Sequence, residues 1–245
     1  MSAPLSVVAE ADDASLAGLP GDGDGPVIAL GGAEAGGRTP AVRWLDREPR
    51  EADPPGERLI APAGGGLWRS APWPAADALF TLAPPSGDRC LLVGGRTRVA
   101  DRPGEPAADA EPRGDETVAE RALARGVEID SVDRLDAELL AGAACVILAD
   151  SPGSALPVRA FAVLAAGRLL VTPRLETTFG LEDGLDHLEF GGPDDAVTLV
   201  EAYRRVPEAF ARIAAWGRLK AEPQRASVAY ARLAADLRLD EPGGA

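Results

Sequence analysis

The sequence predicts an α/β fold, a Rossmann-like parallel sheet with flanking helices, joined to a reduced, irregular N-terminal region. Two observations carry this. The second half of the chain repeats loop, helix, glycine, apolar run, most clearly in SPGSALPVRAFAVLAAGRLLVT (Ser151–Thr172), the alternation that builds a parallel sheet wrapped by helices. Gly126, Gly142 and Gly167 each fall between a helical segment and an apolar run, where a left-handed residue ends a helix. The alternation implies right-handed crossovers.

Taken in order, residues 1–25 are rich in Ala, Asp, Gly and Pro and end in GLPGDGDG, a composition expected of a mobile tail. Residues 26–86 form the reduced N-terminal region. Strands are expected in PVIALGG (Pro26–Gly32) and ERLIAPA (Glu57–Ala63), separated by a polar, proline-rich stretch. Leu67–Pro85 carries Trp68, Trp73 and Phe80. Such aromatics need apolar cover, and the segment is expected to pack on the main domain.

The main domain covers residues 87–245. It opens with the strand CLLVGG (Cys90–Gly95), followed by a polar insertion to about Gly114. A helix with Asp115 near its start ends at Gly126, and VEID (Val127–Asp130) follows as a strand. Asp133 is expected to cap a helix running to Gly142, before the strand ACVILAD (Ala144–Asp150). A helix from Ser154 or Pro157 to Ala166, the strand RLLVT and the strand HLEFG come next. Three helices close the chain, Asp194–Arg205, Pro207–Ala221 and Pro223–Leu239, Pro207 suiting a first helical turn.

The formal charge is −14, which argues against a nucleic-acid partner, since phosphate backbones require a basic footprint. Cys90 and Cys145 each sit at the edge of an apolar run and are expected to be core thiols. The first 18 residues lack a basic region and a sustained apolar stretch, so no signal peptide is expected. No apolar run approaches the roughly 20 residues that span a membrane; a cytoplasmic protein is expected. His187 is the single histidine, so neither a histidine-built metal site nor a Ser-His triad with a partner histidine is expected.

Ligands of open parallel sheets bind beyond the carboxyl ends of the strands. Four loops are expected there. Gly94-Gly95-Arg96-Thr97-Arg98 offers close backbone approach and positive charge, and Asp150–Ser154 runs into a helix N-terminus suited to phosphate. The others are Pro173–Thr178, with Arg174 and Glu176, and the loop around Asp186 and His187. Together they suit an anionic ligand with a polar head, although glycine turns occur at these places in any doubly wound domain.

The stretch from Cys90 to the end resembles the C-terminal domain of GT-B glycosyltransferases, most closely the CgeB/YkvP-type spore-protein glycosyltransferase-like group. CLLVGGRTR is similar to that group's first strand and glycine turn, and VRAFAVLAAGRLLVTPR to its Arg-x-Phe-Glu-Ala-Leu-Ala-x-Gly segment and following strand. GLEDGLDHLEFGGPDDAVTLVEAYRRVPEAFARIAAWGRLKAE is similar to its acidic-Gly, strand, helix, Pro-Glu, helix tail. The resemblance implies a metal-independent transferase that needs no cofactor and uses a nucleotide-diphosphate sugar as donor. Gly94, Gly95, Arg96, Arg98, Gly153, Ser154, Arg159 and Glu176 would bind the donor. Departures are evident: the family's acidic positions fall on Ala162 and near Ser154, and Pro223-Gln224 replaces a His-Thr pair.

Two readings follow. One is a divergent glycosyltransferase moving a sugar to an unknown acceptor, with Glu176, Glu182 or Asp186 replacing the missing acids. The other is a catalytically inactive relative that binds sugar nucleotides or serves as partner to a complete glycosyltransferase or a cell-envelope acceptor.

Overall fold

The computed structural model describes residues 6–8, 27–30, 40–45, 58–61, 67, 69–94, 114–149, 159–175 and 177–239. Two parallel five-stranded sheets organise them. The first contains β1 (Ser6–Val8), β2 (Val27–Leu30), β3 (Val42–Trp44), β4 (Leu59–Ala61) and β5 (Arg69–Ser70), adjacent in chain order. The second contains β6 (Cys90–Val93), β7 (Asp130–Val132), β8 (Cys145–Leu148), β9 (Leu169–Pro173) and β10 (Leu188–Phe190). Its order is β10-β9-β8-β6-β7. Its connecting helices are α1 (Gly114–Ala124), α2 (Ala137–Gly142) and α3 (Ala160–Ala165). After β10 come α4 (Pro193–Arg205), α5 (Pro207–Ala221) and α6 (Ala226–Leu239).

The fold class is the expected one, an α/β protein built on a parallel sheet with flanking helices. The apolar runs that predicted strands are apolar throughout because the second sheet is covered on both faces. Alternate residues divide between two cores. Leu91, Val93, Val146, Leu148 and Leu170 meet α3 and Leu140 of α2. Cys90, Leu92, Cys145, Ile147 and Val171 meet Val118 and Ala122 of α1 and Ala196, Val197 and Val200 of α4.

The N-terminal region is more regular than its composition predicts. Ser6–Val8, assigned to a mobile tail, pairs in parallel with Val27–Ala29 as β1. β3 and β5 were likewise not anticipated, because strands of two or three residues in polar surroundings leave no periodic signal. This sheet obtains its apolar cover from the far end of the chain: Ile28, Leu30, Val42, Trp44 and Ile60 pack with Ala229, Tyr230, Leu233 and Leu237 of α6. Trp44 meets Tyr230 edge-on, with ring centroids 6.4 Å apart. The Leu67–Pro85 segment divides its aromatics. Trp73 joins the N-terminal core and donates to the Leu45 carbonyl at 3.0 Å, whereas Phe80 packs into the core of the second sheet as expected. Trp68 lies outside the described residues.

Several boundaries shift for local reasons. α1 stops before Gly126, whose φ of +67° is the left-handed stop expected. Val127 then closes the turn onto the Ala122 carbonyl, so the strand expected at Val127–Asp130 begins only at Asp130. α2 is capped by Asp136 rather than Asp133: the Asp136 carboxylate accepts from the Leu139 N–H at 2.7 Å. Gly142 is the last residue of that helix and is absent from the positive-φ glycines, which include Gly167 with φ +68°. The last helix starts at Ala226, preceded by a 3-10 turn at Glu222–Gln224.

α5 lies close over α3 and the turn before β10 because Gly217 has no side chain. A Cβ there would stand 2.5 Å from the Asp186 carbonyl oxygen and 2.6 Å from Leu164 Cδ2. Gly217→Ala is expected to destabilise the protein by about 1–3 kcal/mol, the usual range for overpacking. Guanidinium unfolding checks this, with a lowered midpoint and an unchanged slope.

Candidate functional site

Ligand crevices of doubly wound sheets open where the strand order reverses, because loops leaving neighbouring strands there diverge. β7 lies on one side of β6 and β8 on the other. The reversal therefore falls between β6 and β8, at the carboxyl ends marked by Val93 and Leu148, which pair in register. The loop leaving β6 begins at Gly94, which is buried, and the chain re-enters α3 at Arg159, which is half-buried with φ −90° and ψ −1°. Topology thus places Gly94 and Arg159, which flank the segments that the sequence marks for an anionic ligand, at the same edge of the sheet. Gly94 and Arg159 are placed; Gly95, Arg96, Arg98, Gly153, Ser154 and Glu176 lie outside the described residues.

Every residue of α3 is buried. Ala162, at 4% exposure, is part of the core beneath the sheet. Arg174 follows β9 and is exposed, adding a second cation to the carboxyl edge. The start of α4 is different. Asp195 Oδ2 accepts from the Gly191 N–H at 3.2 Å, so this helix end is occupied by the chain's own carboxylate and not open to an anion.

Asp186 and His187 do not belong to that edge. Leu188 pairs with Val171 in the middle of β9, so His187 lies behind the carboxyl edge, and both residues are fully buried. His187 Nδ1 is 3.0 Å from Asp186 Oδ1 and its Nε2 is 3.3 Å from Glu189 Oε1. The same Asp186 oxygen accepts from the Glu182 N–H at 3.0 Å, and Glu189 Oε1 from the Leu175 N–H at 3.2 Å. Lys220 Nζ stands 4.0 Å from Asp186 Oδ2 and donates to the Gly180 carbonyl at 2.8 Å. This network fastens the β9–β10 connection to α5. It gives Asp186 a structural role in place of the donor-binding role considered above.

Two cavities border the second sheet. One, of about 330 Å³, lies between the two sheets and is lined by Trp44, Ile60 and Ser70 from the first, Phe179 from the loop after β9, and Gln224 and Arg232. Phe179 has φ +51°, the one non-glycine residue with positive φ among the described residues, a costly conformation for a bulky side chain. The other cavity, of about 780 Å³, opens at the opposite, amino edge of the sheet, beside Asp88, Ala144, Leu169, Tyr203, Phe210 and Arg218. Burial pushes the Tyr203 hydroxyl up to about 12. Neither cavity was legible in the sequence, because their walls come from segments far apart along the chain. Gly180, with φ +83° after Phe179, is the nearest local signal.

The chain matches no protein-family model and no curated protein. Among solved structures it is similar to a glycosyltransferase from Rickettsia africae ESF-5, with a TM-score of 0.56 and 8% identity over 88% of this chain and 77% of that one. TarM matches with a TM-score of 0.49 and 9% identity, over 87% of this chain and 54% of that one. The likeness to the Rickettsia protein gives this chain a glycosyltransferase-like fold. Among the described residues no helix is long and apolar enough to cross a membrane.

Asp186→Ala would leave His187 and Lys220 without their shared carboxylate. A loss of about 1–3 kcal/mol is expected for leaving the buried His187 ring nitrogen and the Glu182 N–H without their partner. Thermal and denaturant unfolding, read against the wild-type chain, measure it.

Proposed function

We propose that this chain binds a nucleotide-diphosphate sugar at the β6/β8 crevice and transfers its glycosyl group to an acceptor entering between the two sheets. One observation carries the reading: the strand-order reversal falls between the two strands whose carboxyl-end loops hold Gly94–Arg98 and Gly153–Arg159. The likeness in fold to a glycosyltransferase supports it, as does the resemblance of the segments around those loops to the CgeB/YkvP-type group. In this reading Gly94 and Gly95 let the backbone approach the diphosphate. Arg96, Arg98 and Arg159 supply charge to it, with Gly153, Ser154 and Glu176 completing the donor pocket. Transfer rests on positioning and on stabilising the leaving diphosphate. The strained Phe179, in the cavity between the sheets, suits a role in orienting the acceptor.

A second reading is favoured by Ala162. The resemblance places an acid at this position, yet here the residue is core packing in a fully buried helix. A chain that binds donors without transferring them, as a partner of a complete transferase, accounts for that.

Calorimetric titration with UDP, GDP, TDP and ADP and their sugar conjugates tests the shared claim of both readings. One base is expected to bind selectively. Arg159→Ala should weaken that binding about 10- to 100-fold, the value of a charge-assisted hydrogen bond at about 1.5–3 kcal/mol, with an unchanged melting temperature. Binding of no nucleotide by the folded chain overturns the site, and an unaltered affinity in Arg159→Ala overturns the role of that residue. Sugar release from the bound donor, assayed with and without candidate acceptors, separates the transferase from the binder.

A further inference from the structure

Cys90 and Cys145 stand directly opposite each other in the β6–β8 pairing. Both are buried, and both side chains belong to the core between the sheet and α4. Neighbouring strands lie about 4.7–4.9 Å apart, within the roughly 4.4–6.8 Å Cα separation that a disulfide bridges. The in-register row continues from Cys145 to Leu169 on β9. Leu169, Ala144 and Asp88 all form wall of the amino-edge cavity, and Cys90 Sγ donates to the Asp88 carbonyl at 3.3 Å. The thiol pair thus sits one to two residues behind the wall of a cavity of about 780 Å³.

We propose that Cys90 and Cys145 are an oxidation site, forming a reversible disulfide when a small hydroperoxide enters through the amino-edge cavity. The roles of the two sulfurs differ. Its interaction with Cys145 holds the Cys90 thiol below the ordinary cysteine range despite burial, and the charge of Arg204 adds to this. The same interaction, with burial, pushes Cys145 well up. Cys90 is therefore the attacking sulfur. Its thiolate takes the terminal oxygen of the hydroperoxide, breaking the O–O bond and releasing an alcohol or water once the departing oxygen is protonated. The Cys90 sulfenic acid then condenses with the Cys145 thiol; the S–S bond forms, and the sulfenic oxygen leaves as water with the Cys145 proton. Two thiols are oxidised by two electrons and one peroxide is reduced. Side chains in register on parallel strands start about a strand spacing apart, wider than the roughly 3.5–4.5 Å Cβ separation of a disulfide. The bond forms under strain, and a strained disulfide is readily reduced again.

The test uses the whole folded chain. It is exposed to hydrogen peroxide, denatured, alkylated with N-ethylmaleimide and weighed by intact mass and peptide mapping. The expected result is the loss of two hydrogens, a fall from two alkylatable thiols to none and a cross-link joining the Cys90 and Cys145 peptides, all reversed by dithiothreitol. Cys145→Ser should leave a Cys90 sulfenic acid that dimedone captures, and Cys90→Ser should leave Cys145 unoxidised. The wild-type mass reading stands even where a variant fails to fold. Two persistent thiols, added oxygen without a cross-link, or a disulfide between two chains would each overturn the proposal.

Discussion

The pairing of Ala75 with the Gln224–Ala226 turn is the contact on which the rest of the molecule depends. The Ala75 N–H donates to the Gln224 carbonyl and the Ala226 N–H to the Ala75 carbonyl, each at 2.8 Å. Here the chain passes from the first sheet to the second, and here it returns. The junction is reinforced by side chains: the Arg225 guanidinium lies 4.0 Å from the centroid of the Phe80 ring, and Asp77 Oδ1 accepts from the Ser227 N–H at 3.1 Å. What the junction delivers is α6. The short strands of the first sheet bury Ile28, Val42, Trp44 and Ile60 against this helix. A sheet of such short strands needs a covering face to be stable, so the N-terminal half of the fold rests on the C-terminal helix.

The second sheet has the opposite character, with its own covering helices and a core on each face. Its constraint is closeness. Gly217 lets α5 press on Asp186, and the buried Asp186–His187–Glu189 network then holds the start of β10. At the amino edge of the sheet Arg168 is buried and donates to the Leu140 carbonyl at 2.7 Å and to the Ala141 carbonyl at 3.3 Å. It shares the Leu140 carbonyl with the Ala143 N–H and takes up the Ala141 carbonyl at the end of α2. These polar anchors fix the strands from behind, and rigid strands are what allow loops at the carboxyl edge to hold a ligand in one geometry.

Much of this second sheet was legible in the sequence because its three central strands, β6, β8 and β9, are apolar runs. CLLV, CVIL and LLVTP stand where the pattern put them. The first sheet was not legible, since Arg69–Ser70 is exposed and polar and Ser6–Val8 lies in a polar, acidic stretch. The strands between them, β2, β3 and β4, find their apolar cover on α6 from the other end of the chain, information that no local window contains. The same limit applied to the site. Gly94 and Arg159 carry local signatures, a glycine turn and a basic residue before a small-residue helix. Asp186 and His187 carry a misleading one: a polar pair beside a glycine reads as a loop, yet both are buried, with Asp186 Oδ1 bound to His187 and to the Glu182 N–H and His187 Nε2 facing Glu189.

The switch-point strands connect the two edges of the sheet. β6 and β8 lie side by side from Cys90–Cys145 at the amino edge to Val93–Leu148 at the carboxyl edge, a distance of about 10 Å at the rise of an extended strand. The proposed disulfide would join this pair at its amino edge. The loops starting at Gly94 and ending at Arg159 are attached to its other edge. Close-packed interiors transmit strain instead of absorbing it, and Leu92 and Ile147, directly between the two edges, are fully buried. The cysteine pair therefore stands at the amino end of the same two strands whose carboxyl ends lead to Gly94 and toward Arg159.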